Sequence, residues 1–336
     1  MNLTILAIES SCDETSTAII QNGNILANVV ASQAIHEKYG GIVPELASRA
    51  HQQNIIPVVE EAFNKANITK IMLNAVAFTK GPGLLGSLLV GVSFAKSLAL
   101  ALNIPLIEIN HMEAHILAHF IDNPKPKFPF LCLTVSGGHT QIVRVNDYFT
   151  MEILGETQDD AVGEAFDKSA KLLGLPYPGG PLIDKYAANG NPNAFPFPNV
   201  EMPELSYSFS GIKTSILYFL RDRQKDNPDF IKDNLPDICA SIQHTLIKIL
   251  LKKLIRASEE TGIKEIAIAG GVSANSGLRK TMEQEAEKRG WNVYIPKFEY
   301  CTDNAAMVAM AAHFKFQKGQ FCGQDVNPEP RMKINA

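Results

Sequence analysis

The stretch FLCLTVSGGHTQIVRV, residues 130–145, decides the fold. It reads as two apolar strands hinged on a polar turn, where Gly137 and Gly138 let the backbone come close to another group. Two readings fit that turn. One is an ordinary hairpin with a Gly-Gly corner, and the other is a cradle whose successive N–H groups converge on an anionic oxygen. The same plan returns near the N-terminus, where ILAIESSCDETSTAII occupies residues 5–20. A third strand is expected after each hairpin, at 24–31 and at 150–156. Such internal similarity in a chain of 336 residues predicts an α/β protein of two duplicated lobes facing each other across a cleft. The first lobe should cover 1–120, with a helix near 304–325 returning to it. The second should cover 128–303 with a loop and helical insertion at 189–235, and IDNPKPKFP at 121–129 should link the two.

Composition excludes several classes. Apolar residues make up 46% and the formal net charge is −4, which fits a globular protein without general affinity for nucleic acid, so an RNA substrate would need a local patch or a helper. The most apolar region, 84–109, is broken by Gly91, Lys96, Asn103 and Pro105 and is expected to be a buried helix and strand, not a membrane span. No secretory pattern opens the chain, and a cytoplasmic location is expected. The 5 cysteines form no CxxC pair and are expected to be reduced.

Along the chain, 44–65 has helical periodicity, 71–79 and 102–109 read as strands, and GPGLLGSLLVG at 81–91 joins them as a glycine turn opening a helix. That arrangement serves either an anion or close helix–sheet packing. In HMEAHILAH, His111 and His115 stand four apart and share one helix face, the spacing of a metal pair, with His119 one turn further on. Solvated or core histidines are the plain alternative. A metallopeptidase would need Glu directly after the first histidine; Met112 is there, and Glu113 points away.

Residues 158–173 read as a helix whose Asp160, Glu164, Asp167 and Lys168 form a charged face, either solvated or lining a cleft. YPGGP at 177–181 ends it. A long helix at about 236–261 carries Lys248, Lys252, Lys253 and Arg256, a stripe that is either a solvated face or an RNA-backbone contact. Strand 263–269, GGVSANSGLR and a further helix repeat the strand, glycine turn and helix order. Asn275 there is placed to cap the helix, to touch a nucleotide, or both. Asp303 or Asn304 starts the last helix, and the functional reading makes Asp303 an oxygen ligand beside His111 and His115.

The motifs ESSCDET, GGIVPELASR, GPGLLGSLLVG, HMEAH, SGGHT, GEAFDK, YPGGP, SFSGIKT, AGGVSAN and CTDNAAM follow one another in the order met in one family. Across residues 3–318 the chain closely resembles the catalytic subunit of the bacterial tRNA N6-adenosine threonylcarbamoyltransferases, once described as O-sialoglycoprotein endopeptidases. The resemblance implies the fold shared by actin, sugar kinases and heat-shock ATPases. It implies transfer of a threonylcarbamoyl group from threonylcarbamoyl-AMP, an adenine nucleotide, to N6 of adenosine 37 in tRNAs reading ANN codons. It further implies a divalent metal, iron or alternatively zinc, on His111, His115 and Asp303. Substrate contacts would fall at Thr134, Val135, Ser136, Gly137, Gly138, Asp167, Gly180, Asp184 and Asn275. Asp13 and Glu14 would supply a general base. The implied partners are tRNA, a shorter protein of the same fold (TsaB type) and a small P-loop ATPase (TsaE type), with no membrane. Two departures stand out: Ala305 where many members have Gly, and a tail, NPEPRMKINA, without the usual PRW ending. A nucleotide-gated binding module of the same fold is the non-catalytic alternative.

Overall fold

The computed structural model describes residues 2–335 apart from 34, 35, 37, 38 and 199–201. Each hairpin opens a five-stranded sheet, and the two sheets share one plan. In the first, Thr4–Glu9 (β1) and Thr15–Gln21 (β2) pair antiparallel with Ile5 opposite Ile20. Asn22 and Gly23, at φ 51° and 83°, then reverse the chain into Asn24–Ala31 (β3), because Asn and Gly tolerate the left-handed backbone of a tight hairpin. Ala75–Gly81 (β4) and Leu106–Asn110 (β5) add in parallel, giving the order β3-β2-β1-β4-β5. Parallel neighbours need crossovers, and Pro44–Ala66 (α1) and Leu85–Leu102 (α2) provide them. Both later strands start four residues after the positions expected from sequence. Lys70–Met72 is a 3-10 turn, and Asn103 caps α2 in the left-handed conformation at φ 52°.

Strand alternation sorts the side chains of this sheet. Leu6, Ile8, Ile19, Val76, Phe78 and Leu106 join Ile55, Val59 and Ala62 of α1 and Val92, Ala95 and Ala99 of α2 in one core. Full burial of Phe78 alone contributes about 1.5–3 kcal/mol. The alternate residues Ala7, Glu9, Ala77 and Thr79 therefore project from the other face. Packed with β1, β2 and β5 are Ala305–Gln317 (α9) and, against α9, the short helix His111–Leu117 (α3). By length and composition α2 is the one helix among the described residues that could cross a membrane; here Leu88, Val92, Ala95 and Ala99 are buried in this unit.

The second sheet runs β10-β9-β6-β7-β8. Its strands are Phe130–Val135 (β6), Thr140–Asp147 (β7), Thr150–Glu156 (β8), Glu265–Ala269 (β9) and Asn292–Tyr294 (β10). The helices are Val162–Leu172 (α4), Gly180–Ala187 (α5), Ser210–Asp226 (α6), Phe230–Thr261 (α7) and Ser276–Arg289 (α8). Leu131, Leu133, Ile266 and Ile268 share a core with Phe166, Ile212, Leu246 and Leu278 of these helices. The segment 158–161 is a bend rather than a helix, because Thr140 Oγ1 accepts the Val162 N–H and Thr157 Oγ1 donates to the Asp160 carbonyl. Helix α7 starts at Phe230 and runs through Pro236, so the insertion is more helical than its polar sequence suggested. Residues 199–201 of the insertion expected at 189–235 lie outside the described residues.

The chain divides into two compact units, Met1–Lys125 with Tyr148–Thr150 and Pro296–Ala336, and Pro126–Asp147 with Met151–Ile295. Asp303, expected at the end of the second lobe, thus belongs to the first. The start of α9 is tied there, since Ser16 Oγ accepts the Ala305 N–H at 2.8 Å and Asn28 Oδ1 accepts the Ala306 N–H at 3.2 Å.

Gly270 has φ +89°, and a Cβ there would lie 2.5 Å from the Val135 carbonyl oxygen. Gly270→Ala should therefore destabilise the second unit by about 2–4 kcal/mol. Urea unfolding followed by Trp291 fluorescence measures this, and an unchanged midpoint would contradict the packing described here.

Candidate functional site

The end of β5 runs straight into α3. Asn110 caps that helix, its Oδ1 accepting the N–H groups of Met112 at 2.9 Å and Glu113 at 3.2 Å. His111 is thereby fixed at the first helical position and His115 one turn on. Their rings meet edge to face with centroids 4.7 Å apart. Asn304 Oδ1 caps α9 by accepting the Met307 N–H, which leaves the Asp303 side chain free to face the histidines. Asp303 Oδ1 lies 3.1 Å from His115 Nε2 and 3.4 Å from His111 Nε2.

The ligand atoms of His111, His115 and Asp303 all lie within 4.8 Å of one another. Bonds of about 2.1 Å to one ion would put neighbouring ligand atoms about 3.0–3.4 Å apart, so the spacing and the N, N, O donor set suit a single divalent transition metal. Among the described residues this is the one such group. His119 is buried in the 3-10 turn after α3 and stands outside it. Burial disfavours charge on both sides of the cluster, but pairing wins. His111 is lifted well above the ordinary 6.5 by Asp303 and Glu9, and Asp303 is held far below the usual carboxylate range by His111 and His115.

The acidic turn ESSCDET lies in the same unit. His51 Nε2 is 3.0 Å from the Cys12 carbonyl, which can only accept, so Nδ1, 2.8 Å from Thr15 Oγ1, takes the threonine proton. Burial keeps His51 below its ordinary pKa and hence neutral, and one ring pins both ends of the turn. Burial, then the neighbouring Asp303 and Asp13 carboxyls, raise Glu14 to about 10. Glu14 is therefore protonated at neutral pH and hydrogen-bonded with Asp13. Sequence reasoning missed both His51 and Glu9, the latter a fully buried carboxylate at the end of β1. The available signal for Glu9 was an acid closing an otherwise apolar strand, TILAIE.

The remaining candidate residues are all in the second unit, where hydrogen bonds connect them in sequence. Thr134 and Val135 are buried strand residues, whereas Gly137 and Gly138 are open, with nothing within 4 Å of where a Cβ would stand on either. Ser136 N–H donates to the His139 carbonyl, and Ser136 Oγ accepts from Gly138 and His139 N–H, so of these turn amides Gly137 keeps its donor available. The Ser136 carbonyl accepts the Gly163 N–H of α4. One turn along α4, Asp167 Oδ1 accepts the N–H groups of Gly179 at 2.8 Å and Gly180 at 3.0 Å. Asp184 on α5 accepts from the N–H and hydroxyl of Ser276 at 2.9 and 2.7 Å. Asn275 caps α8 through Leu278 N–H and donates Nδ2 to Gln243 Oε1.

Two other sequence readings meet specific contacts. Asp160 and Glu164 both pair with Lys168, so that part of the α4 charge run is a self-compensating surface. The basic stripe of α7 is interrupted: Lys253 is buried and donates to the Met202 and Glu204 carbonyls, and Arg256 pairs with Glu260.

The family model described as tRNA N6-adenosine threonylcarbamoyltransferase (TsaD) matches residues 24–310. The chain belongs to this family. It is 68% identical over 336 residues to the tRNA N6-adenosine threonylcarbamoyltransferase of Cytophaga hutchinsonii, covering 100% of this chain and 98% of that one. The Christiangramia forsetii relative is 63% identical, with 99% of this chain and 98% of the relative covered, and a Clostridium botulinum relative 49%, with the same coverage. Among solved structures, full-length HypF in its phosphate- and nucleotide-bound form superposes with TM-score 0.62 at 14% identity over 95% of this chain and 47% of HypF. The ADPNP-bound activator of 2-hydroxyisocaproyl-CoA dehydratase from Clostridium difficile gives 0.52 at 17% over 95% and 97%. At such identities the likeness is one of fold, and that fold is the actin-like, sugar-kinase-like one. Set on this threonylcarbamoyltransferase frame, the histidine pair and Asp303 fall in the first unit and the glycine-turn residues in the second.

A metal bound at Nε2 must displace the His111 proton that faces Asp303. Affinity for Zn²⁺ or Co²⁺ should therefore fall as pH drops through the raised His111 value, already above 6.5, with proton release on binding near neutrality. Calorimetric titration in two buffers of different ionisation enthalpy measures this, and an affinity flat from about pH 8 to about pH 6 would contradict it.

Proposed function

We propose that this chain transfers the threonylcarbamoyl group of threonylcarbamoyl-AMP to N6 of adenosine 37 in tRNAs that read ANN codons. The observation that carries the reading is the 68% identity, end to end, with a relative named for that activity. In the transfer, N6 bonds to the carbamoyl carbon, the bond from that carbon to the phosphate oxygen breaks, and AMP leaves. N6 loses a proton, and we assign its acceptance to the Asp13–Glu14 pair. A cation beside Glu14 would draw its carboxyl back toward the ionised form that such a role requires.

His111, His115 and Asp303 would hold a divalent ion, iron or zinc. Such an ion polarises a carbonyl oxygen as a Lewis acid. The exposed Gly137–Gly138 turn offers a backbone donor to phosphate, and Asp167 and Asp184 are carboxylates suited to ribose hydroxyls. In this structure, however, these two carboxylates hold Gly179, Gly180 and Ser276. Either they accept a ribose hydroxyl on a remaining lone pair, or they shape the loops that do.

Partner proteins fit this reading. Leu85, Leu89 and Leu100 of α2 are 52%, 45% and 70% exposed, an apolar outward face that suits a TsaB-type protein of the same fold. With the α7 stripe interrupted and a net charge of −4, tRNA binding is best shared with that partner and a TsaE-type ATPase. The peptidase reading is disfavoured by Glu113, whose Oε1 accepts the Asn335 N–H at 3.1 Å instead of serving the histidines.

Nucleoside mass spectrometry of an unmodified ANN-decoding tRNA provides the test. The tRNA is incubated with this protein, both partners, an enzyme forming the activated intermediate, ATP, threonine and bicarbonate. Threonylcarbamoyladenosine should appear only with the intact chain and drop by about 10²-fold or more in His111→Ala or Asp303→Ala. No product, with partners proven active on a known counterpart, would leave a nucleotide-gated binding module as the better account.

A further inference from the structure

Glu9 is 0% exposed, and among the described residues its one ion-pair partner is His111. Ser11 and Thr79 donate to it and His111 faces it. Oε1 accepts the Ser11 N–H at 2.5 Å, and Oε2 accepts the Thr79 hydroxyl at 2.5 Å and lies 3.1 Å from His111 Nδ1. A backbone N–H cannot accept, so Oε1 is an acceptor only, and a proton on the His111 nitrogen facing Oε2 leaves Glu9 as the charged carboxylate. Isolated in the interior, that charge would be very costly, and a cation has to face it. Among the described residues, no lysine or arginine pairs with it.

The imidazole provides the link. With Nδ1–H directed at Glu9, the Nε2 lone pair of His111 is aimed at Asp303, on the side where a metal would sit. His115 has no such support, since its Nδ1 is buried without a hydrogen-bond partner. Ser11 Oγ is the competing acceptor, 3.2 Å from His111 Nδ1, but a neutral hydroxyl adds no charge.

We propose that Glu9 is the positioning residue of the metal centre: its buried carboxylate fixes His111 with Nδ1–H inward and Nε2 toward the ion. This inference rests on the metal reading of His111, His115 and Asp303. Carboxylates behind ligating histidines typically change metal affinity by 10–100-fold. They act through the ligand, never on the ion directly.

The experiment titrates the full-length apo protein with Co²⁺ against a competing chelator, following the visible absorption of the bound ion. Glu9→Gln should bind about 10–100-fold more weakly than wild type and Ser11→Ala less than about tenfold. On a His111→Ala background, Glu9→Gln should cost nothing further. Wild-type affinity in a folded Glu9→Gln variant, or a full additional loss on the His111→Ala background, would overturn the role. Absence of Co²⁺ binding by wild type would instead overturn the metal reading beneath it. Should Glu9→Gln not fold, the histidine ¹H–¹⁵N correlation of the Zn²⁺-loaded wild type decides. A slowly exchanging His111 Nδ1–H supports the assignment, and a His111 metal-bound through Nδ1 overturns it.

Discussion

Two carboxylates, Glu9 and Asp303, are held inside the first unit with histidines as their only ion-pair partners among the described residues. Burial works against both charges, and each is nevertheless kept ionised by positive charge arriving from α3. That demand disciplines much of the unit. The parallel pairing of β1 with β4 brings Thr79 to Glu9, the β5–α3 junction brings His111 to Glu9, and the Asn304 cap frees Asp303 to complete the cluster. An apolar replacement at any corner would leave an uncompensated charge in the interior, which costs more than the pair itself contributes.

The two sheets have the same strand order, yet the ends of their first strands do opposite things. In β1 the last residue is Glu9, and the following turn is acidic and clamped by His51 and Ser87. In β6 the last residue is Val135, and the following turn is neutral and open at two glycines. A negative turn repels phosphate, and a glycine turn with a free N–H attracts it. The duplicated plan thus gives one copy a carboxylate-rich turn and the other an open glycine turn through a few side chains.

Much of this was legible in the sequence because its signals are local. The hairpins, the third strands 24–31 and 150–156, a cap at Asp303 or Asn304, of which Asn304 is the one, and the histidine pair all follow from alternation, turn residues and four-residue spacing. Legibility failed where a long-range contact decides. The start of α4 depends on Thr140, twenty-two residues earlier in the chain, and the burial of Lys253 depends on carbonyls at Met202 and Glu204. Glu9 carried no local signal beyond being an acid that closes an apolar strand. Its role depends on Thr79 and His111, which only the parallel crossover connections bring to it.

The C-terminal tail follows the same logic. Its sequence departs from the usual family ending, and its contacts lead to the helix of the histidines. The Glu329 N–H donates to the Lys80 carbonyl, and the Pro330 carbonyl accepts the Gly83 N–H, so the tail is laid along the turn between β4 and α2. Further on, the Lys333 carbonyl accepts from Asn110 Nδ2, the side chain whose Oδ1 caps α3, and the Asn335 N–H donates to Glu113. A seven-residue helix has little intrinsic stability, and its cap and flanking contacts largely set its position. The tail therefore orients Asn110, Asn110 orients α3, and α3 presents His111 and His115 to Asp303. A change more than two hundred residues away in sequence can reach the cluster of His111, His115 and Asp303 through two hydrogen bonds.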